Sequence, residues 1–383
     1  MLQDIIQLLR TSAQSTRTGR RLGSCLAMGS IIALLGLFSI QKTSAEDLPA
    51  KPRQRLDRKN LLLYPDADGT LKTATTAEEW LHRRKIILAD MQEVMGPLPG
   101  EQKRCALEMD ILEEFAEETY VRRLITFRPE PKSIIPAYLL IPKEALTDTD
   151  KKFPGVLTLH QTHPQGHKVV VGLESNANDH YAVDLVKRGF VCLAPAYPLL
   201  ANYQPKLAAL GYQSGTMKAI WDNIRGLDLL ESLPYVKQGE FGAIGHSLGG
   251  HNAIFTAVFD ERIKVIVSSC GFDSFLAYKG GNITGWTSAR YMPNLLNYKL
   301  EEIPFDFHEL IGALAPRACF ISAPFYDDNF KWRSVFQINE AAAKIYNLYR
   351  VPQNLRVEHP KTGHEFPLET RETAYRILEE NLK

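Results

Sequence analysis

Residues 245–249 are the stretch of this chain whose residue types and spacing say most about chemistry. They read Gly-His-Ser-Leu-Gly, with a short apolar run at 241–244 before them and helically spaced apolar residues after them. Between a strand and a helix, a Gly-x-Ser-x-Gly turn lifts the serine hydroxyl clear of the backbone, because small flanking residues permit the tight turn. The stretch therefore predicts Ser247 as a nucleophile, with an ordinary glycine turn as the alternative.

A serine hydroxyl needs a base beside it, and His364 is the predicted base. It follows the segment 355–358, which reads as the last strand, and lies between Gly363 and Pro367, three residues further on. These neighbours describe a loop at the carboxyl end of a strand, the edge of an open α/β sheet where sites are built. His359 is the alternative, although it lies in or at the strand itself.

The base in turn needs an orienting acid. The predicted strand at 318–321 runs into a loop that contains Asp327 and Asp328. Either carboxylate could reach an imidazole there, and Asp327 is the preferred candidate. Asp273, which follows the preceding predicted strand, is a third possibility.

The oxyanion of an acyl-transfer reaction needs two N–H donors. One is expected from the backbone of Leu248, directly after the nucleophile, and the other from the backbone of Gln161 or Thr162, after an early strand.

The same loop offers an alternative zinc site, but the spacing fits poorly, a proline interrupts it and no helix is predicted. We therefore expect no metal and no cofactor. The three histidines concerned are His160, His163 and His167.

Short apolar segments alternate with amphipathic ones from residue 153 onwards, which predicts an α/β fold with a mostly parallel, doubly covered sheet. A helix at 77–95 and an antiparallel strand pair at 121–127 and 135–141 precede this part. A segment rich in glycine, tyrosine and asparagine at 273–313 breaks the alternation and is predicted to be an insertion over the sheet. Predicted strands are 155–160, 190–194, 263–268, 318–321 and 355–358, and predicted helices are 179–188, 216–233, 333–349 and 370–381.

Three arginines followed by a long apolar stretch and then small residues make the first 45 residues typical of a secretory signal or an uncleaved anchor. We therefore expect an exported protein, periplasmic or secreted. Residues 46–60 are predicted to be a tail or linker within an N-terminal extension, 46–134, and a catalytic domain is expected at 135–383.

The chain has 383 residues, of which 45% are hydrophobic, and its net charge is +1, so nothing indicates a nucleic-acid partner. Five cysteines give no disulfide framework. Cys192, Cys270 and Cys319 lie in or beside strand-like runs and are predicted to be free, buried thiols.

The elbow, the acid loop and the histidine loop, in this order, resemble those of the α/β-hydrolase superfamily. More narrowly, the chain from about residue 135 resembles the dienelactone hydrolase and acetyl xylan esterase group, related to the prolyl oligopeptidase catalytic domain. The motifs concerned lie at 159–162, 189–195, 228–234, 245–250 and 363–367. The resemblance implies a serine esterase with Ser247 as nucleophile, His364 as base and an aspartate near Asp327. Two departures are a glutamine after His160, where glycine is usual, and the lack of a glycine in the acid loop.

For an exported enzyme of this kind we expect a carbohydrate or other small-molecule ester as substrate. Trp286 is a candidate to stack on a sugar ring and Arg290 to pair with an acidic group, with packing and surface solvation as the alternatives. A peptidase and a non-catalytic binding module are the alternative functions. Residues 46–150 are too few for the N-terminal propeller of the peptidase branch.

Overall fold

The computed structural model describes residues 55–174 and 176–383. The predicted signal segment, 1–45, and Cys25 lie outside the described residues. Within the described part, no helix is long and apolar enough to cross a membrane.

Nine strands form one mixed sheet, and two short strands form a separate hairpin. The hairpin strands are β1 (Leu63–Pro65) and β2 (Leu71–Thr73). The sheet strands are β3 (Asp110–Ala116), β4 (Tyr120–Glu130), β5 (Ser133–Pro142), β6 (Phe153–Leu159), β7 (Val191–Pro195), β8 (Val236–His246), β9 (Ile263–Ser269), β10 (Ala318–Ser322) and β11 (Leu355–Glu358).

The sheet order is β11-β10-β9-β8-β6-β7-β5-β4-β3. The strands from β11 to β7 run parallel to one another, whereas β5, β4 and β3 continue the sheet in antiparallel pairs. The predicted antiparallel pair is confirmed, since Val121 of β4 lies opposite Ile141 of β5. The carboxyl ends of β6, β8, β9, β10 and β11 therefore meet at one edge, where the candidate site lies.

Helices cover both faces of the sheet, as predicted. Adjacent residues on one strand, such as Val156 and Leu157, belong to different apolar clusters, because successive side chains point to opposite faces. One cluster includes residues of α3 and α8, and the other residues of α1 and α4 to α7. The helices are α1 (Ala77–Met95), α2 (Lys143–Thr147), α3 (Tyr181–Lys187), α4 (Gly215–Ser232), α5 (Leu248–Phe259), α6 (Phe307–Ala313), α7 (Trp332–Leu348) and α8 (Leu368–Leu382).

Two features of the region before β4 differ from the sequence-based expectation. Strand β3 has no counterpart among the predicted strands, because all its residues are exposed and its pattern lacks a buried face. Part of the predicted tail also packs on the body, since Arg55 pairs with the buried Glu309 and Arg58 with the buried Asp306. Buried carboxylates need such partners, so residues 55–58 contribute to the folded unit.

Candidate functional site

The elbow is a strained turn that only glycine can flank. Ser247 lies between β8 and α5 with φ 52° and ψ −119°, a backbone conformation that non-glycine residues rarely adopt. A Cβ on Gly245 would lie 2.2 Å from the carbonyl carbon of Gly249, and a Cβ on Gly249 would lie 1.8 Å from the carbonyl oxygen of Leu159. The second contact brings the elbow against the end of β6, where the predicted oxyanion loop begins.

The neighbouring strand holds the elbow in this conformation. The Ser247 N–H donates to the Ser269 carbonyl at the end of β9 over 2.8 Å. The Ser269 hydroxyl and Nδ1 of His246 are 3.1 Å apart and share a hydrogen bond. Burial lowers the pKa of His246 to about 3, so this imidazole is neutral and acts as a structural partner.

The predicted base reaches the predicted nucleophile. His364 lies in the loop between β11 and α8, and its Nε2 is 2.9 Å from the Ser247 hydroxyl oxygen. Its Nδ1 lies 3.0 Å from both carboxylate oxygens of Asp327. A carboxylate at Nδ1 selects the tautomer with its proton there, which leaves Nε2 to accept the serine proton.

Asp327 is the acid that the structure brings to His364. It is 5% exposed, and its Oδ1 also accepts the backbone N–H groups of Asn329 at 2.8 Å and Phe330 at 3.0 Å. Burial alone would raise the pKa of this carboxyl, but the His364 hydrogen bond and charge and these two N–H groups hold it below its ordinary value. The carboxylate therefore stays ionised beside the imidazole.

The other sequence candidates lie elsewhere. Asp328 is exposed. Asp273 is fully buried and accepts backbone N–H groups of Ser274 and Lys331, which is a structural role in the loop after β9. His359 shares a hydrogen bond between Nδ1 and the Ala323 carbonyl at 2.7 Å.

The three predicted oxyanion residues lie around Ser247. Leu248 is the first residue of α5, where a helix leaves its backbone N–H unpaired. Gln161 and Thr162 follow β6 and line the same cleft as the serine hydroxyl. The loop after β6 and the start of α5 therefore border Ser247, where a developing alkoxide would need N–H donors.

His160 fixes the backbone of this loop. Its Nδ1 donates to the Gln161 carbonyl at 2.8 Å, and its Nε2 accepts the Tyr197 N–H at 3.1 Å. Burial lowers its pKa to about 4, so both nitrogens are occupied in the neutral form. Among the described residues, His160, His163 and His167 do not bring three possible metal-ligand atoms together. His163 instead accepts the N–H of Gln165 at 3.2 Å.

Cys270 borders the acid and the base, and sequence reasoning gave it no role beyond packing. Its sulfur contacts the Glu365 carbonyl at 3.5 Å, and its backbone N–H donates to Ser322. Donor atoms of Cys270, Asp327 and His364 all lie within 4.8 Å of one another. Burial raises the pKa of the Cys270 thiol, so it is protonated and links the ends of β9 and β10 to the His364 loop. Cys192, Cys270 and Cys319 are free and buried, as predicted.

The cleft at Ser247 has two lobes with different linings. The aromatic lobe has a volume of about 170 Å³ and is lined by uncharged residues: Thr162, Ser247, Leu248, Gly271, Tyr278, Gly285, Trp286, Tyr291, Asn329 and Phe330. The polar lobe has a volume of about 300 Å³ and is lined by Gln161, Thr162, Asn176, Asn178, Asp179, His246, Ser247, His364, Glu365 and Phe366. Ser247 and Thr162 belong to both, so a bound ester can extend to either side of the nucleophile.

Trp286 lines the aromatic lobe, but it is 4% exposed and its faces are largely covered. The His251 ring stacks on it at 5.0 Å, and the Phe330 ring lies 5.9 Å away at 31°. Arg290 lines neither lobe, and its Nε donates to the Leu199 carbonyl at 3.2 Å. Trp286 therefore borders the site but packs mainly against other aromatic rings, and Arg290 lies outside the cleft.

Sequence reasoning missed most of the residues that line the lobes. The asparagines and Asp179 of the polar lobe lie in the turns before α3, and only their density at 176–179 sets them apart. Tyr278 and Tyr291 come from the predicted insertion, and no motif marks them. Asn329 and Phe330 could have been predicted to line the site, because they follow Asp327 in the acid loop.

Comparison with known proteins places this fold and site in context. Residues 209–349 match the family model described as glucuronyl esterase, fungi. The Bacillus subtilis (strain 168) protein YtaP, described as a hydrolase, is 24% identical over 298 residues, which cover 75% of this chain and 95% of YtaP. A glucuronoyl esterase structure from Solibacter usitatus superposes with a TM-score of 0.67 at 18% identity, covering 88% of this chain and 99% of that one.

Acetyl xylan esterase 1 from Thermoanaerobacterium sp. JW/SL YS485 superposes with a TM-score of 0.50 at 17% identity, covering 77% of this chain and 99% of that one. At these identities the structural likeness establishes the fold. The chain thus has the α/β-hydrolase fold, and its residues 209–349 are similar to the glucuronyl esterase family model.

Proposed function

We propose that this esterase hydrolyses carboxylic esters of carbohydrates through an acyl-enzyme formed on Ser247. The observation that carries the proposal is the chain of contacts from the Ser247 hydroxyl to Nε2 of His364 at 2.9 Å and from Nδ1 to Asp327 at 3.0 Å. These contacts allow His364 to remove the serine proton at the moment of attack. Without such a base, a serine hydroxyl is a weak nucleophile near neutral pH.

In the first half of the reaction, the Ser247 oxygen attacks the ester carbonyl while His364 takes its proton. The backbone N–H of Leu248 and that of Gln161 or Thr162 hold the oxyanion. The tetrahedral intermediate then breaks its bond to the alcohol oxygen, which receives the proton from Nε2 and leaves. The acyl group remains on Ser247 as an ester.

In the second half, water replaces the alcohol. His364 takes a proton from this water, the resulting hydroxide attacks the acyl-enzyme, and the proton is returned to the Ser247 oxygen as the acid leaves. Asp327 keeps the imidazole oriented and stabilises its positive charge in both halves. Asp328 takes no part, because its exposed side chain lies outside this chain of contacts.

The substrate class is supported by the lining of the cleft and by the relatives. Hydroxyl-bearing groups favour a polar lining of amides and carboxylates, such as that of the polar lobe. Similar proteins are named as esterases that act on glucuronoyl and acetyl xylan esters. In this proposal Trp286 lines the aromatic lobe, whereas Arg290 does not contact the substrate.

Export fits this substrate class, because plant and algal polysaccharides lie outside the cell. We therefore keep residues 1–45 as a signal or anchor and residues 135–383 as the catalytic domain, preceded by the extension 46–134 and carrying an insertion at 273–313.

The test is a substrate screen with purified protein. Acetylated xylose, methyl glucuronate, nitrophenyl acetate and a peptide nitroanilide are offered to the wild type and to Ser247→Ala. Hydrolysis of a sugar ester that is lost in the variant supports the proposal. Cleavage of the peptide alone would favour the peptidase alternative, and activity retained by Ser247→Ala would exclude the proposed nucleophile.

A further inference from the structure

The two lobes of the cleft differ in their relation to the base. His364 and its neighbour Glu365 line the polar lobe, whereas Leu248 lines the aromatic lobe. In an acyl transfer, the group that receives the proton from the base is the leaving alcohol, so the alcohol must lie on the base's side of the nucleophile. The acyl group then extends the other way, past Leu248.

The two volumes agree with this orientation. The aromatic lobe holds about 170 Å³ and the polar lobe about 300 Å³. An acetyl or other short acyl chain fits the smaller, uncharged lobe, which Tyr278 and Phe330 help to line. A ring bearing several hydroxyl groups needs the larger lobe.

The polar lobe is also equipped to bind hydroxyl groups. Asn176 and Asn178 present side-chain amides, and Asp179 and Glu365 present carboxylates. Gln161 is 8% exposed, and its Oε1 is buried and has no hydrogen-bond partner among the described residues. Buried polar atoms are normally paired, so this oxygen can accept a hydrogen bond from a donor such as a substrate hydroxyl.

The segment that carries these groups is held in place. Arg371 of α8 donates to the Ala177 carbonyl at 2.7 Å and approaches Oδ1 of Asn178 at 3.5 Å. The Asn176 amide donates to Asp179 at 3.0 Å. The side chains therefore have defined positions before a ligand arrives, which lowers the entropic cost of binding.

The negative charge of the polar lobe limits which leaving alcohols can bind there. The lining of the polar lobe contains two carboxylates and no lysine or arginine among the described residues. An alcohol bearing its own carboxylate would be repelled, whereas a neutral polyol would not.

We propose that the polar lobe is the subsite for the leaving alcohol and that this alcohol is an uncharged polyhydroxy compound, a sugar unit esterified by a short acyl group. This inference rests on the proposed ester hydrolysis at Ser247. It commits the sugar to the alcohol side of the bond, whereas in a glucuronoyl ester the sugar is the acyl group.

The test compares esters that share one acyl group. Acetylated methyl xyloside, methyl acetate and acetylated lactic acid differ only in a polyhydroxy, a plain or an anionic alcohol. Each is offered to the wild type, to Asn178→Ala and to Asp179→Asn. Asn297→Ala is the matched control, because Asn297 is exposed and lines neither lobe.

We expect Asn178→Ala to lower kcat/KM for the xyloside about fivefold, the effect of one lost hydrogen bond, and to leave methyl acetate within about twofold. Asp179→Asn should raise kcat/KM for acetylated lactic acid relative to the xyloside. Methyl glucuronate, in which the sugar is the acyl group, should be a poorer substrate than acetylated methyl xyloside.

Equal losses on the xyloside and on methyl acetate would overturn the inference, as would a preference of the wild type for methyl glucuronate or acetylated lactic acid. These results would leave ester hydrolysis at Ser247 intact. If the wild type hydrolyses none of these esters, or if Ser247→Ala hydrolyses them equally well, the proposed function itself fails and the inference with it.

Discussion

The elbow and the two loops that face it achieve their geometry by different means. At the elbow, a Cβ on Gly249 would lie 1.8 Å from the Leu159 carbonyl oxygen, so sterics dictate the turn. In the loops after β10 and β11, hydrogen bonds set the positions, since Asp327 accepts two backbone N–H groups and one imidazole N–H. Next to that imidazole, a Cβ on Gly363 would meet nothing within 4 Å. The nucleophile is therefore held mainly by close backbone packing, together with the backbone hydrogen bond from Ser247 to Ser269, and the acid–base pair by side-chain hydrogen bonds.

Because of this difference, we expect substitutions in the two regions to affect different properties, stability in one and activity in the other. Changes at the elbow glycines should damage folding, while changes in the loops should damage activity and leave the fold intact. The following predictions test that separation, beginning with the largest effect.

Replacing the nucleophile should have the greatest consequence. Ser247→Ala should lower kcat roughly a millionfold, as expected when nucleophile, base and acid act as one unit. The far-ultraviolet circular dichroism spectrum should not change, because alanine fits the space of serine. Retention of more than a few per cent of wild-type turnover would mean that another group attacks the ester.

Removing the acid's charge should come next. Asp327→Asn should lower kcat about ten thousandfold, because an amide at Nδ1 favours the wrong imidazole tautomer. Asp328→Asn, one residue further along, is the control and should stay within about twofold of the wild type. Comparable losses in both variants would show that the loop tolerates no change and would remove the case for Asp327.

The elbow glycine should affect stability more than any loop residue. Gly249→Ala should lower the free energy of unfolding by about 3 kcal/mol or more, since backbone must shift to admit the Cβ. Gly363→Ala, beside His364, should change it by less than about 0.5 kcal/mol, because its Cβ meets open space. Urea denaturation measures both, and similar values for the two variants would contradict a sterically fixed elbow.

The smallest predicted effect is the dependence of stability on pH that Asp327 causes. The pKa of Asp327 is lowered in the folded state, against the opposing effect of burial, by its His364 and backbone hydrogen bonds. A lowered carboxyl pKa contributes stability that is present above the unfolded pKa of about 3.9 and is lost as the pH falls through the folded value.

The difference in unfolding free energy between the wild type and Asp327→Asn should therefore shrink as the pH falls from 5 towards 2. Urea denaturation at a series of pH values measures it, with Asp328→Asn as the flat control. A difference that is constant with pH would mean that the Asp327 pKa is not lowered in the folded protein.

The same contrast explains what could be read from the amino-acid sequence. The strand, elbow and helix around Ser247 were predictable, because sterics leave a fixed residue pattern. The strands β4 to β11 and most helices followed from apolar periodicity, whereas β3 was missed because it has no buried face. The position of His364 followed from its place after β11.

The remaining parts of the site depend on contacts between distant segments. Nothing local distinguishes Asp327 from Asp328, since the choice rests on which carboxylate reaches Nδ1 of His364, 37 residues further along the chain. The lobes combine residues from four or more segments, such as Asp179 with Glu365, and no spacing rule links them. Cys270 was predicted as a buried thiol, but its contact with Glu365 is visible only in three dimensions.

The measurement that tests the central claim most directly is labelling by a fluorophosphonate, with the modified residue located by mass spectrometry and the rate compared in the wild type and His364→Ala. We expect the label on Ser247, at a rate that falls at least a hundredfold in the variant, as is typical of a lost general base. A folded wild type that is not labelled at Ser247, or equal rates in the two proteins, would contradict an activated serine at this position.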